Sequence, residues 1–149
     1  MAVTQNTFNE DYATRTIGAE TDGELSNILT GHLEGATPAP FGAPVFKGVA
    51  DKGVTLAVSA NLRGWLVSSP GLPLAATRPA DTFAPGDNVR IKERGGICVD
   101  SATAANKDQP VYITPAGKAS NASAGNTLAA GWLFDETISA AGAVAIARR

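Results

Sequence analysis

From residue 41 to the C-terminus, the apolar residues of this chain come in short runs, and this spacing restricts the fold more than any other feature. Gly, Pro, Asn and Asp separate the runs, and these residues favour turns. Short apolar runs between turns are typical of sheets that close into small barrels or sandwiches. We therefore predict an all-β domain. Its candidate strands are Pro44–Val49, Val54–Ser59, Arg63–Ser68, Asn88–Arg94, Ile97–Asp100, Pro110–Thr114, Ala129–Glu136 and Ala143–Ala147.

The candidate strand 88–94 shows which side should be buried. Val89 and Ile91 alternate with two basic residues, Arg90 and Lys92. This period of two predicts an apolar face in the core and a charged face in water.

Two glycine-containing signals predict turns. Pro85-Gly86-Asp87 combines three turn-forming residues before the strand 88–94. Gly95-Gly96 lies between two apolar runs, so it predicts a tight hairpin that joins strand 88–94 to strand 97–100.

The chain contains a weak internal repeat. APVF at 43–46 recurs as QPVY at 109–112, and GWLV at 64–67 recurs as GWLF at 131–134. The separations are 66 and 67 residues, and a third apolar element follows each half. Near-equal separations predict two similar β units, that is, a barrel or sandwich with pseudo-repeated halves.

The two tryptophans occupy equivalent positions in this repeat. Trp65 and Trp132 could be exposed aromatics that stack on a ligand, or one core anchor in each half. We favour core anchors, together with Val89 and Ile91, because large aromatic side chains dominate core packing.

Residues 1–40 differ from the rest of the chain. They carry six acidic residues and one basic residue, Arg15. Residues 1–20 show neither the period of two typical of a strand nor the period of 3.6 typical of a helix. The segment ends at residues 36–40, where two prolines hold the chain extended. We predict an extended N-terminal arm, residues 1–40, and a β body, residues 41–149. We expect the body to fold without residues 2–35.

Residues 21–34 of the arm allow two conformations. Apolar residues from Leu25 to Leu33 follow helical spacing, and Thr21 and Glu24 have the spacing of a capping box. Two glycines each weaken a helix by about 1 kcal/mol. We favour an extended segment that docks on a neighbour.

Residue types that carry chemistry are scarce. The one histidine, His32, lies in the arm, and the one cysteine, Cys98, lies in an apolar run that predicts a core position. Neither a phosphate-binding glycine motif nor His/Cys metal-ligand spacing occurs. We therefore expect no catalytic, metal or cofactor site. The carboxylates that could form an acid–base pair all lie beside turns or strand ends, where a structural role is favoured: Asp87, Asp100, Asp108, Asp135 and Glu136.

Charge and hydropathy argue against two classes of partner. The net charge is −2 and no basic stripe occurs, so we expect no nucleic-acid partner. No basic start precedes an apolar stretch, and no apolar run reaches membrane-spanning length, so we expect no signal peptide and no membrane partner. Charged residues make up 17% of the chain, below the ~25% typical of soluble domains. This low value indicates a surface that partners cover.

Seven motifs follow one another along the chain: FGAPV (41–45), GWLV (64–67), PGDNVRIK (85–92), GGICV (95–99), DQPVYI (108–113), AGWLFD (130–135) and GAVAI (142–146). Each motif alone describes only a β-hairpin. In this order, over about residues 41–147, they resemble the cement (decoration) proteins of tailed bacteriophages. Two features depart from that family: the long proline-containing loop 68–82, and Asp108-Gln109 where the family usually has Gly-Asp.

The resemblance implies a viral structural protein without catalytic residues. Such a protein, assembled in the host cytoplasm, would bind the exterior of a phage head and hold major capsid proteins together against the pressure of the DNA. Contact with copies of itself is expected too, and a homotrimer is the natural closed form at a local three-fold position. Without residues 2–35 we expect binding to be lost. The arm residues expected to contact the capsid or a neighbouring copy are Phe8, Tyr12, Ile17, Leu25, Ile28, Leu29 and Leu33.

Three other functions stay open. A tail or head-completion protein with a small barrel would form rings or tubes instead of binding the shell. A sugar-binding module would need Trp65 or Trp132 exposed to solvent. A small hydrolase would need Asp87, Asp100 or Asp135 in a pocket.

Overall fold

The computed structural model of the protein describes residues 16–21, 26–76 and 78–149. These residues form eleven β-strands and no helix, which confirms the all-β prediction. The strands are β1 (Asn27–Leu33), β2 (Ala39–Pro40), β3 (Pro44–Lys47), β4 (Gly53–Thr55), β5 (Leu62–Leu66), β6 (Thr82–Phe83), β7 (Asn88–Ser101), β8 (Pro110–Ile113), β9 (Ala119–Ser120), β10 (Thr127–Phe134) and β11 (Gly142–Arg148).

Strand β7 is shared by two closed rings of strands. The order β1-β4-β3-β5-β7, with β1 paired back to β7, closes a five-stranded barrel, which we call the first barrel. The order continues as β7-β11-β10-β8-β9, and β9 returns to β7 where Ala119 lies opposite Ser101. This second ring makes the other half of the molecule, while β2 and β6 form a separate small ribbon.

The continuity of β7 corrects the hairpin predicted at Gly95-Gly96. Strand β7 runs straight through both glycines: residues before them pair with β1 and β5, and residues from Gly95 onward pair with β11. Gly95 has a φ of +105°, and a side chain there would come within 2.9 Å of Ser26. Gly95 therefore allows one strand to pass between two rings, because glycine tolerates both the backbone angle and the close approach.

The repeat in the sequence corresponds to two hairpins of like order. Strand β3 pairs with β5, and β8 pairs with β10, antiparallel in each case. Pro44 lies opposite Trp65, but Pro110 lies opposite Leu133, one residue past the equivalent tryptophan. A shift of one residue turns the side chains of a strand to the other face. Tyr112 accordingly points away from the core and is half-buried, while its neighbours Val111 and Ile113 point into the core. Its equivalent in the first half, Phe46, is buried.

Two clusters of apolar side chains form the core. Residues of β3 and β5 separate the clusters, since Leu66 packs into the first barrel and Trp65 into the second ring. The rings of Trp65 and Trp132 meet edge to face, with 6.1 Å between their centroids. The other two predicted anchors, Val89 and Ile91, are buried in the first barrel.

Part of the predicted arm contributes to the body. Residues 27–40 supply β1 and β2, and β1 pairs with β7 from Asn27 to His32. Residues 27–33 are extended, the conformation that we favoured over a helix for residues 21–34. Leu33 is buried in the first barrel. A deletion of residues 2–35 would therefore remove a barrel strand, so a deletion of residues 2–15 is the better test of the arm.

Candidate interaction surfaces

The seven predicted arm contacts fall in different environments. Phe8, Tyr12 and Leu25 lie outside the described residues. Ile17, Ile28 and Leu29 are half-buried at the edge of the body, and Leu33 lies inside the first barrel. Of the described four, the first three can reach a partner, and Leu33 is enclosed.

Residues 16–21, which we call the latch, fasten the chain to the body. The N–H of Gly18 donates to the carbonyl of Cys98 (2.7 Å), and the N–H of Ser68 donates to the carbonyl of Gly18 (2.8 Å). The N–H of Cys98 donates in turn to the carbonyl of Ala19 (2.9 Å). The latch thus covers Cys98, which is buried as the sequence predicted.

An ion pair ties the latch to β7. The Lys92 ammonium donates to the Glu20 carboxylate, and the Lys92 side chain is only 1% exposed. The prediction that the basic residues of β7 lie in water is therefore wrong for Lys92 and correct for Arg90. Lys92 is buried because the latch crosses that face of the strand, and a buried ammonium needs a partner of opposite charge.

One edge of β1 lacks a neighbouring strand over most of its length. Strand β4 is only three residues long and pairs with β1 at His32 and Leu33 alone. No described strand pairs with that edge of β1 from residue 27 to residue 31. Beside it lies a cavity of about 450 Å³, which we call the edge groove. Its lining consists of residues 28–31, residues 51–54, Arg63 and Ile91.

The turn between β3 and β4 carries an exposed apolar residue on a rigid support. The Glu34 carboxylate accepts hydrogen bonds from the N–H groups of Val49 and Ala50, both at 2.8 Å. These two bonds lower the pKa of Glu34 below its ordinary value. Gly48 and Gly53 leave room for the carboxylate. Val49 at the tip of the turn is 98% exposed.

The proline-containing loop 68–82 is fixed by a two-point ion pair. The Arg78 guanidinium donates to both carboxylate oxygens of Asp87, at 2.6 and 3.1 Å. The Arg78 hydrogen bond lowers the pKa of the Asp87 carboxyl, and the N–H of Ala84 lowers it further. Leu74 in this loop is 75% exposed.

The outer face of the second ring is partly apolar. Leu128 lies opposite Tyr112 and Leu133 opposite Pro110, so these four residues share one face of the sheet. Leu128 and Leu133 are 52% and 40% exposed. Leu133 points outward because it alternates along β10 with the buried residues Trp132 and Phe134. Its repeat equivalent Leu66 is buried because the first barrel covers that face of β5.

A basic cleft lies beside the start of β1. Arg94, Arg148 and Arg149 line it together with Asn27 and Glu93. Arg149 also donates to Asp135 at 3.1 Å. The cleft fits an acidic partner better than a basic one, because three guanidinium groups outnumber the two carboxylates of Glu93 and Asp135.

The carboxylates considered for catalysis are engaged in structural contacts. Asp87 binds Arg78, Asp100 lies 2.9 Å from Lys118, and Asp135 binds Arg149. Within residues 16–21, 26–76 and 78–149, no group of three or more His, Cys, Asp or Glu residues is placed to hold a metal ion. The described chain also contains no helix able to cross a membrane.

The two tryptophans do not form a sugar-binding platform. Both indoles are buried, and each packs against the other. A platform of the kind considered from the sequence would need at least one indole face in water, so this alternative is wrong for Trp65 and Trp132.

Comparisons with known proteins agree with one family. A solved structure titled "The capsid of Myoviridae Phage XM1" contains a chain of the same fold, with a TM-score of 0.73 and 16% sequence identity. The match covers 99% of this chain and 98% of that one. No curated protein matches. The family described as structural cement protein (E217 gp24/Pam3 gp6) matches residues 4–149. This chain therefore belongs to the phage structural cement protein family and is a capsid cement protein.

Proposed function

We propose that this cement protein binds the exterior of a phage head and stabilises contacts between major capsid proteins. The observation that carries the proposal is the display of Val49 and Leu74, two strongly exposed apolar residues, on supports fixed by carboxylate hydrogen bonds. Rigid apolar points lose little entropy when they enter a partner's pocket, so they suit docking.

The two-ring body acts as a stiff platform for several weak contacts. Once one contact forms, each further contact to the same shell becomes intramolecular, so the combined affinity exceeds that of any single site. The proposal includes neither nucleic acid nor membrane as a partner, since a net charge of −2 gives the protein no overall attraction to phosphates.

The arm supplies a second kind of contact in this proposal. Phe8, Tyr12 and Leu25 would contact the capsid or a neighbouring copy, and Ile17, Ile28 and Leu29 lie half-buried where such a contact could continue. Copies of the protein would meet at local three-fold positions as a homotrimer, the closed arrangement that matches such a site.

Co-sedimentation with shells stripped of this protein tests the proposal. We expect saturable binding that raises the temperature at which the shells release DNA. Val49→Asp and Leu74→Asp should each weaken binding roughly tenfold, because each places a charge in an apolar contact. Ser123→Asp, in an exposed loop, is the matched control and should bind normally.

Failure to bind intact shells would overturn the proposal. If the purified protein then forms rings or tubes, the tail or head-completion role takes its place. Equal binding by Val49→Asp, Leu74→Asp and the control would retain the cement role but remove these two residues as docking points.

A further inference from the structure

The unpaired edge of β1 presents backbone groups to the edge groove. The N–H of His32 donates to the carbonyl of Lys52 (2.8 Å) on the β4 side, whereas the N–H of Leu33 donates to Asp87 (3.0 Å) on the β7 side. Backbone groups alternate in direction along a strand. The N–H and C=O groups of Ile28 and Thr30 therefore point into the edge groove, where no described strand pairs with them.

We propose that the edge groove receives the N-terminal segment of a neighbouring copy as an added β-strand, through residues 7–12. The proposal rests on the proposed function, because neighbouring copies are brought together on the shell. An extended segment can satisfy the free groups of Ile28 and Thr30 through main-chain hydrogen bonds, without a deep pocket. The same pairing would cover an otherwise open sheet edge.

The chemistry of the edge groove matches that segment. Its lining includes the apolar residues Leu29, Val54 and Ile91, and its rim carries Lys52 and Arg63 against one carboxylate side chain. Residues 7–12 read TFNEDY, so two aromatic residues flank two acidic ones. Aromatic side chains fit the apolar lining, and the acidic pair complements the basic rim and the adjoining basic cleft.

The path of the chain favours a neighbouring copy over self-pairing. The latch runs antiparallel to β7, with Glu20 opposite Ile97 and Thr21 bonded to Gly96. The start of the latch at Thr16 therefore lies toward the end of β7 near Ser101. The edge groove lies toward the other end, where Thr30 pairs with Arg90. Only residues 13–15 separate the segment 7–12 from the latch, and an extended chain from position 12 to Thr16 spans about 14 Å. The stretch of β7 from Arg90 to Ser101 spans roughly 36 Å, so residues 7–12 fall short of the edge groove of their own copy.

Disulfide capture on the shell tests this pairing. Full-length chains with Thr30→Cys are mixed on stripped shells with chains that carry one cysteine at position 8, 10, 11 or 12, and then oxidised. We expect a covalent heterodimer for at least one position. Thr30→Cys mixed with Ser123→Cys is the control and should give at least tenfold less. Cys98 is buried and stays in all chains.

A second variant removes one backbone donor from the edge of β1. Thr30→Pro deletes the one N–H that points into the groove from that residue, and proline is tolerated on an edge strand when the pairing side is unaffected. Thr30→Val keeps the N–H and serves as the control. We expect Thr30→Pro to lower the yield of an Ile28→Cys heterodimer at least tenfold and Thr30→Val to leave it unchanged.

The outcomes separate this inference from the cement role. Shell binding without any heterodimer would overturn the added-strand proposal and leave the cement role intact. A disulfide-linked adduct between the Thr30→Cys chain and a shell protein, cleaved by a reductant and formed in place of the heterodimer, would also overturn it. Loss of shell binding by every chain would instead overturn the proposed function.

Discussion

Gly64 illustrates how single residues allow strands to pack closely. Its φ is +149°, and a Cβ atom there would lie 2.2 Å from the carbonyl oxygen of Lys92. Gly86 also has a positive φ, +87°, but a Cβ atom there meets nothing within 4 Å. An alanine in place of Gly86 would therefore strain the backbone only, whereas an alanine in place of Gly64 would also collide with the backbone of Lys92.

Substitution of these glycines should give unequal losses. We expect Gly86→Ala to lower the free energy of unfolding by about 1–2 kcal/mol, the usual cost of this backbone region. Gly64→Ala should cost more than twice as much, because a backbone atom cannot move aside. Urea denaturation of both variants measures the two losses in the free energy of unfolding. Equal losses would contradict the predicted collision between the added Cβ atom at position 64 and the Lys92 carbonyl.

Asp87 provides a test of pH dependence. Its pKa is lowered in the folded protein from an ordinary value of 3.8, so its stabilising contribution is present above pH 3.8 and is lost as the pH falls through the folded value. Asp87→Asn should reduce stability at pH 7 by about 1–2 kcal/mol, since charged hydrogen bonds to Arg78 are lost. The difference from the parent should shrink below pH 3.8 in thermal melts. A difference independent of pH would argue against the ion pair.

At the scale of elements, the latch depends on one buried charge. Glu20→Gln would leave Lys92 without its carboxylate partner. We expect a loss of about 1–2 kcal/mol, less than for a fully buried pair because Glu20 is partly exposed. Amide hydrogen exchange at Cys98 and Ser68 should accelerate, since both N–H groups donate to the latch.

A double variant controls for the buried charge. Glu20→Gln with Lys92→Met removes both charges and keeps a side chain of similar length, so stability should return toward that of the parent. If the single variant leaves exchange at Cys98 and Ser68 unchanged, the ion pair does not hold the latch.

Strand β7 shows where sequence reasoning succeeds and where it fails. Alternation in residues 88–91 correctly predicted which side chains enter the core, because burial follows the period of two. The hairpin at Gly95-Gly96 was wrong, since glycine pairs favour turns and close strand crossings alike. The burial of Lys92 had no local signal, because its cover comes from residues 72 positions earlier in the chain.

On the scale of the whole molecule, a deletion of residues 2–15 keeps every described strand and both core clusters. We therefore expect the shortened chain to fold, with a circular dichroism spectrum like that of the parent, and to bind stripped shells more weakly. Deletion of residues 2–35 removes β1 and Leu33 and should prevent folding, as circular dichroism would detect. Normal shell binding by the shorter deletion would contradict a role for the arm.

The overall architecture followed from the sequence more readily than its surfaces did. Short apolar runs and repeated motifs predicted an all-β molecule with two similar halves, because both features reflect local pairing. The exposed positions of Val49 and Leu133 depend on turn geometry and on which strand faces distant parts of the chain cover. Such positions carry the same apolar residue types as the core, so composition cannot distinguish them.

The sharing of β7 by both rings has a mechanical consequence for a capsid cement protein. A load applied to one ring passes into the other along a single continuous backbone, with no linker at which the two halves could part. Hydrogen bonds on both edges of that strand would then be strained in shear at the same time, many together. We expect such a molecule to yield abruptly at high force, as one unit, in single-molecule pulling.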